Sequence, residues 1–310
     1  MNHDARIYLA AAAVVSLGWL LTPPATHAAR GRNFNVNLDG DAYSCAELKV
    51  RASGEVAQLN QAFTLSKGEA PILELNSADR AQVRVRAWDH ADYSIETCKV
   101  ATADTRAMAD AIVRGISVNH SAGNLSFNGP TTDDGEWTVV FLIHAPKDAT
   151  LNLESKNGPI EVRGVNGNVK LRATNGPIAV SDCGGMVDVQ TKNGPIAFTG
   201  ERGEVRLHAE NGPIAVNLPA ETWNGSLLEA RTLNGPLALS LPENFRSGLR
   251  LETDGHSPIS CQSALCRNAW KDNGAGKVTL QMNGSGETIH LSTSNGPVAV
   301  NSSDKLKRKF

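Results

Sequence analysis

The tetrapeptide Asn-Gly-Pro-(Ile/Leu/Val) starts at Asn157, Asn175, Asn193, Asn211, Asn234 and Asn295, and the first four copies stand eighteen residues apart. A partial copy starts at Asn128 and a stretched one at Asp254. Apolar pairs subdivide the unit. From Ile160/Val162 through Val169/Leu171 to Ile214/Val216, a pair begins every nine residues, and Gly167, Gly185 and Gly203 precede the alternate pairs. Alternation with period two marks β-strands. The unit therefore holds two short strands and two corners. A fixed short period indicates a repeat array whose units bury their apolar faces only by stacking.

The expected fold class is all-β, a parallel β-solenoid with coils of about 18 residues. Equivalent residues would stack about 4.8 Å apart, with the Asn amides forming a ladder. The expected corners are Asn157-Gly158-Pro159, Asn175-Gly176-Pro177, Asn193-Gly194-Pro195, Asn211-Gly212-Pro213, Asn234-Gly235-Pro236 and Asn295-Gly296-Pro297. The rival is an antiparallel meander with Asn-Gly as a hairpin turn. That turn needs its Gly in a left-handed conformation, and the following Pro disfavours α conformations at the residue before it. Pro is tolerated at the first position of a strand, where a corner would place it.

After Asn211 the period loosens. Leu218–Gly225 is an insertion, residues 260–276 form another loop, and the pattern then resumes toward Asn295. These segments read as further coils with outward loops. Residues 151–302 make up the expected repeat domain, and residues 303–310 a basic polar tail. Residues 29–150 lack the strict period. They hold strand-like runs and one helix, Asp104–Arg114, ending at Gly115. Stacked coils leave unpaired edges at their ends, so this mostly β region is expected to cap the array.

Residues 1–28 read as a secretory signal peptide. An apolar run, Ile7–Leu21, is followed by Thr26 and Ala28 at the −3 and −1 places of a cleavage site. The run is shorter than the roughly 20 residues of a spanning helix, which is the rival reading. The expected location is outside the cytoplasm: periplasm, cell surface or extracellular, with no transmembrane segment after cleavage. Exported chains keep disulfides. Cys45 and Cys98 are one candidate pair, and Cys261 and Cys266 the other. That leaves Cys183 as a packing residue inside the repeat. A zinc site is the competing use of these cysteines, and neither a C-x-x-C pair nor a paired-His motif supports it.

The formal charge of −2 lacks the basic footprint of a nucleic-acid binder. The sequence contains no G-x-S-x-G, nucleotide loop or H-E-x-x-H. The half-units share their nine-residue period with calcium-binding rolls, but no Asp recurs at the ligand place. Outward positions change from coil to coil (Glu161 and Arg163, Lys170 and Arg172, Asp188 and Gln190, Arg206 and His208), without repeated carboxylates. Asp182 with Asp188, and the group Asp133, Asp134 and Glu136, are the acidic candidates, read as a solvated face and a turn. Trp88 and Trp137 fall in strands and are expected in the core. Trp223 and Trp270 fall in insertion loops, where they either pack over the side of the solenoid or serve as the candidate binding-loop aromatics.

The order of features also carries a likeness. Val83, Val85, Trp88 and Asp89 form a V-x-V-x-x-W-D segment. A short helix follows, then the strand WTVVFLIHAP, then L-x-L-x-S-x-N-G-P-I-x-V and its repeats. Over roughly Gln82 to Val300 this resembles the bacterial putative-adhesin family of repeat domains of unknown function, related to auto-transporter adhesin head domains. The resemblance implies a β-solenoid at or outside the cell envelope and brings no catalytic residues. The functional expectation is a non-enzymatic binding or scaffold module without cofactor or metal, its partner an envelope or surface glycan or protein. The alternatives are a carbohydrate-active lyase or hydrolase on the same scaffold, and a structural protein that assembles end to end.

Overall fold

The computed structural model describes residues 33–303 apart from 39, 255–256, 275 and 283–287. The expected signal peptide, residues 1–28, and the tail from residue 304 lie outside them. The chain is mostly β, and all its strands but the first two join into one continuous open sheet that does not close into a barrel.

The repeat supplies two stacks of parallel strands. The front stack runs β9 (Leu151–Asn157), β11 (Val169–Asn175), β13 (Met186–Asn193), β15 (Glu204–Asn211) and β17 (Leu227–Asn234). The back stack runs β10 (Ile160–Arg163), β12 (Ile178–Ser181), β14 (Ile196–Thr199), β16 (Ile214–Asn217) and β18 (Leu237–Leu241). Register follows the sequence period: Ile160 faces Ile178, then Ile196, Ile214 and Leu237. These residues are buried, with Val169, Val187, Val205 and Leu228 opposite them. One apolar core fills the space between the stacks.

Each front strand reaches its back strand through Gly-Pro. Across this corner the Asn side chains form a ladder: the Asn175 amide donates to Asn157 (3.0 Å), Asn193 to Asn175 (3.0 Å), Asn211 to Asn193 (3.1 Å), Asn234 to Asn211 (2.9 Å) and Asn295 to Asn234 (2.8 Å). The Pro carbonyl accepts the amide N–H of the preceding rung's first core residue, as from Ile160 to Pro177 (3.0 Å). Pro has no N–H to leave unpaired there. Gly is required because the rungs approach closely. A Cβ on Gly176, Gly194 or Gly212 would lie less than 3.0 Å from the carbonyl oxygen of the Gly one rung earlier. The last inward front position, near this corner, carries small or hydroxyl residues. Ser155, Thr232 and Thr293 donate from there to the carbonyls of Ala81 (3.1 Å), Gly212 (2.8 Å) and Gly235 (2.9 Å).

Two rungs depart from sequence order. β4 (Leu73–Trp88) bends between Ser77 and Arg80. Its first half pairs with β9 (Leu73 to Leu151) and its second with β10 (Val83 to Ile160). A complete rung therefore lies inside residues 29–150, the region expected to cap the array. It carries no Asn-Gly-Pro, because the bend is made by an irregular register shift instead. At the other end, the last Asn-Gly-Pro copy does not follow the coils before it. β23 (Ile289–Asn295) inserts between β17 and β19 (Leu249–Asp254), and β24 (Val298–Ser302) inserts between β18 and β20 (Ile259–Cys261). The chain thus skips a rung and fills it with its C-terminal strands. The coils therefore do not stack in chain order.

The remaining elements close the ends. Between β4 and β9 the chain forms β5 (Asp92–Ala103), helix α1 (Arg106–Gly115), β6 (Ser117–Ser121), β7 (Asn124–Asn128) and β8 (Gly135–Pro146). β8 pairs with β4, β5 with β8, and β3 (Glu55–Ser66) with β5, extending the back stack. β7 and β6 extend the front stack. The partial copy at Asn128 ends β7, away from the Asn ladder. α1 starts two residues later than expected because Thr105 caps it, accepting from the Met108 N–H. It packs its buried Ala109, Ile112 and Val113 onto β3 and β5. β1 (Phe34–Asn37) and β2 (Lys49–Ala52) form a separate hairpin. The segment they frame packs Val36, Leu38 and Cys45 over the outer face of β5 and β8. The Cys45–Cys98 disulfide holds it there, with Cα atoms 5.5 Å apart. At the C-terminal end β22 (Lys277–Met282) pairs antiparallel with β19, and β21 (Trp270–Asp272) with β22. Cys261 is bonded to Cys266 beside β20. Cys183 is free and buried, and burial pushes its thiol up to about 11, so it stays protonated at neutral pH.

Candidate functional site

The two outer faces differ. The front face carries long charged and polar side chains, for instance the column Asn152, Lys170, Asp188, Arg206, Glu229 and His290. Neighbours pair across the rungs: Arg172 meets Asp188 at 2.7 Å, and His290 and Glu252 share a hydrogen bond at 3.0 Å. The back face is flat. Ala179, Ala197, Ala215, Ala238 and Ala299 form one column, and Ser181, Thr199, Asn217, Ser240 and Asn301 the next.

The back face changes at its N-terminal end. There the same two columns hold Glu161 with Arg84, and Arg163 with Arg86. Arg84 is buried and paired to Glu161 (2.7 Å). Its guanidinium also donates to the carbonyls of Ala42 (2.6 Å) and Gly40 (3.2 Å), which fixes the segment that brings in Asp41. A shallow open recess results, lined by Asp41, Arg86, Ala87, Arg163, Gly164 and Asp182. Asp41 accepts from Arg86 (3.0 Å) and Arg163 (3.5 Å), and Asp182 lies 3.3 Å from Arg163. Gly164 (φ +79°) and Ala87 leave the floor low, and Asp182 adopts a left-handed conformation (φ +56°) at the rim.

A column of rings borders the recess. Tyr43 lies 4.4 Å from His144, His144 stacks on Trp88 at 5.1 Å, and Trp88 meets His90 at 4.4 Å. The Arg86 guanidinium sits over the Tyr43 ring at 4.9 Å. The Tyr43 hydroxyl rests on the carbonyls of Arg84 (3.0 Å) and Ile143. Burial, its largest perturbation, keeps that phenol protonated. Burial and the nearby Arg86 charge lower His144 below the usual imidazole range, so His144 is neutral at neutral pH. The recess therefore presents two guanidiniums and two carboxylates that already neutralise one another. Such a surface offers donors and acceptors side by side for a polar ligand. It contains no free carboxylate pair of the kind glycoside hydrolysis uses.

The sequence candidates fall elsewhere. Trp223 is not an exposed binding aromatic. It is 6% exposed and its ring meets Phe198 at 6.2 Å, because its loop folds back with the Trp223 N–H donating to Ser247 (2.8 Å). Trp270 is 57% exposed, on the short edge strand β21. Trp88 and Trp137 are only partly buried. Asp182 and Asp188 do not meet: Asp182 faces Arg163, and Asp188 pairs with Arg172 on the front face. Glu136 pairs with Arg80 at 2.6 Å, apart from any metal grouping. Among the described residues no three His, Cys, Asp or Glu side chains gather as metal ligands. Sequence reading treated Arg163 and Asp182 separately and missed Asp41 and Arg86. The available signal was the likeness of Val83-Arg84-Val85-Arg86 to Ile160-Glu161-Val162-Arg163, two rungs in register.

Comparison with known proteins gives distant likenesses. The chain is similar to a crystal structure of a putative adhesin from Bacteroides fragilis NCTC 9343, at 15% identity over 79% of this chain and 97% of that one, with a TM-score of 0.40. It is similar to a putative cell adhesion protein from Clostridium sporogenes ATCC 15579, at 11% identity over 79% and 99%, TM-score 0.33. It is also similar to a putative adhesin from Parabacteroides merdae ATCC 43184, at 10% identity over 81% and 92%, TM-score 0.31. No family model and no curated protein matches.

Proposed function

We propose that the chain is an exported, non-enzymatic β-solenoid that serves as an adhesin-like binding or scaffold module of the cell envelope. The parallel register at eighteen-residue spacing supports the winding. The two disulfides are consistent with a compartment outside the cytoplasm. Among the described residues no helix is long and apolar enough to cross a membrane. The observation that carries the binding role is the recess on the back face. There Arg84, otherwise an expensive buried charge, is spent on holding Asp41 beside Arg86 and Arg163. The test is an array of envelope glycans and proteins probed with the mature, oxidised chain. Saturable binding that Arg163→Ala weakens tenfold or more is expected. A clean negative at high concentration defeats the reading.

A further inference from the structure

Two stacked sheets have four edges, and a bare edge invites another strand. Three of the four are managed. The back stack ends C-terminally in β20, only three residues long and bound at Cys261 to the Cys261–Cys266 loop. The front stack ends C-terminally in β21, three exposed residues that include Lys271 and Asp272. Its N-terminal edge is β6, five residues of which four are exposed. Short strands and edge charges are the usual protections against pairing.

The fourth edge, β3, lacks them. It is twelve residues long and pairs with β5 at every position without a shift. Among the described residues no strand pairs with its other side. Its sequence, EVAQLNQAFTLS, contains no Pro, no Gly, no Lys or Arg, and no charge after Glu55. Leu59, at its middle, is 42% exposed, and Phe63 is only partly buried.

We propose that β3 is the docking edge for a second copy of this chain, pairing antiparallel with the same strand about a two-fold axis at Gln61. Such an axis keeps like faces on one side, so paired positions must sum to an even number. Centring on Gln61 sets Leu59 opposite Phe63 of the second copy and Ala57 opposite Leu65. On the other face Gln58 lies opposite Thr64 and Asn60 opposite Ala62. Apolar residues meet apolar ones on the core side, and no like charges face each other because Glu55 falls beyond the paired span. This self-complementarity selects a second copy over a foreign strand. The dimer joins two stacks head to head and carries two recesses.

Sedimentation of the mature, oxidised chain tests this. The wild type is expected to show twice the monomer mass. Gln61→Glu places two carboxylates at the axis and should halve that mass, with an unchanged circular-dichroism spectrum and melting temperature. Gln61→Cys should give a covalent dimer on mild oxidation. Asn60→Cys should not, because each copy of residue 60 faces residue 62 and the two Cys stand too far apart to bond. A wild type that stays monomeric up to its solubility limit overturns the proposal. So does a dimer that Gln61→Glu leaves intact and Gln61→Cys fails to cross-link.

Discussion

Every rung turns two corners, and they tolerate change very differently. From front to back the connection is Gly-Pro in all six Asn-Gly-Pro rungs, always two residues. From back to front it grows from 182–185 and 200–203 to 218–226 and 242–248. Both corners need Gly for the same reason. A Cβ on Gly185 or Gly225 would also lie less than 3.0 Å from the carbonyl of the Gly one rung back. The first corner adds the Asn amide ladder and the Pro carbonyl acceptor. The second repeats only backbone contacts at its start, as from the Asp182 N–H to Thr199 (2.9 Å), with no side-chain ladder, so its loops can lengthen and pack on each other, as Glu221 does with Arg246 at 2.7 Å. Close approach fixes the glycines; the side-chain ladder is what forbids insertion.

That contrast can be broken by experiment. Three residues inserted between Gly194 and Pro195 should abolish the cooperative transition, because they dislocate the ladder and the register of every later rung. The same insertion after Glu201 should cost less than about 1 kcal/mol in denaturant unfolding, since loop length is a weak entropic term. Gly176→Ala and Gly185→Ala should both be severe, roughly 4 kcal/mol or more, because the rung must move off a backbone oxygen. A large difference between them would mean that the corners are not equivalent in close approach. Asn193→Ala removes one amide that donates to Asn175 and accepts from Asn211, and should lower stability by roughly 1–2 kcal/mol. Arg172→Ala on the front face loses a partly exposed ion pair and should change stability by less than about 1 kcal/mol.

How much of this was legible in the sequence follows the same division. Asn-Gly-Pro recurs because each copy meets the same neighbours, so Asn157 through Asn211 announce the stacking distance and the apolar faces directly. The β4 rung was hidden because its bend, from Ser77 to Arg80, uses no repeated residue, although Leu73 and Val83 occupy the core places of Leu151 and Ile160. The insertion of β23 and β24 was hidden for another reason: strand order is a long-range choice, and Ile289 has no local signal that it will pair with both Leu228 and Leu249. The recess gathers Asp41, Arg86, Arg163 and Asp182 from distant segments, so no spacing rule could have joined them. Trp223 and Trp270 left both packing and binding open, because a Trp in a polar loop reads alike whether the loop folds back, as at Trp223, or stands away.

One complete rung is the unit of this structure. Deleting residues 175–192, a whole repeat, would join Thr174 to Asn193 and let Asn193 take the place of Asn175 on Asn157. Deleting residues 175–183, half of it, would put front-strand residues into back-strand positions. The measurement is cooperative unfolding of both variants by circular dichroism. The first should keep a strand spectrum and a sharp, somewhat lowered transition, and the second should show no cooperative transition. A whole-repeat variant that is unfolded, or a half-repeat variant that melts just as sharply, would contradict the complete rung as the unit.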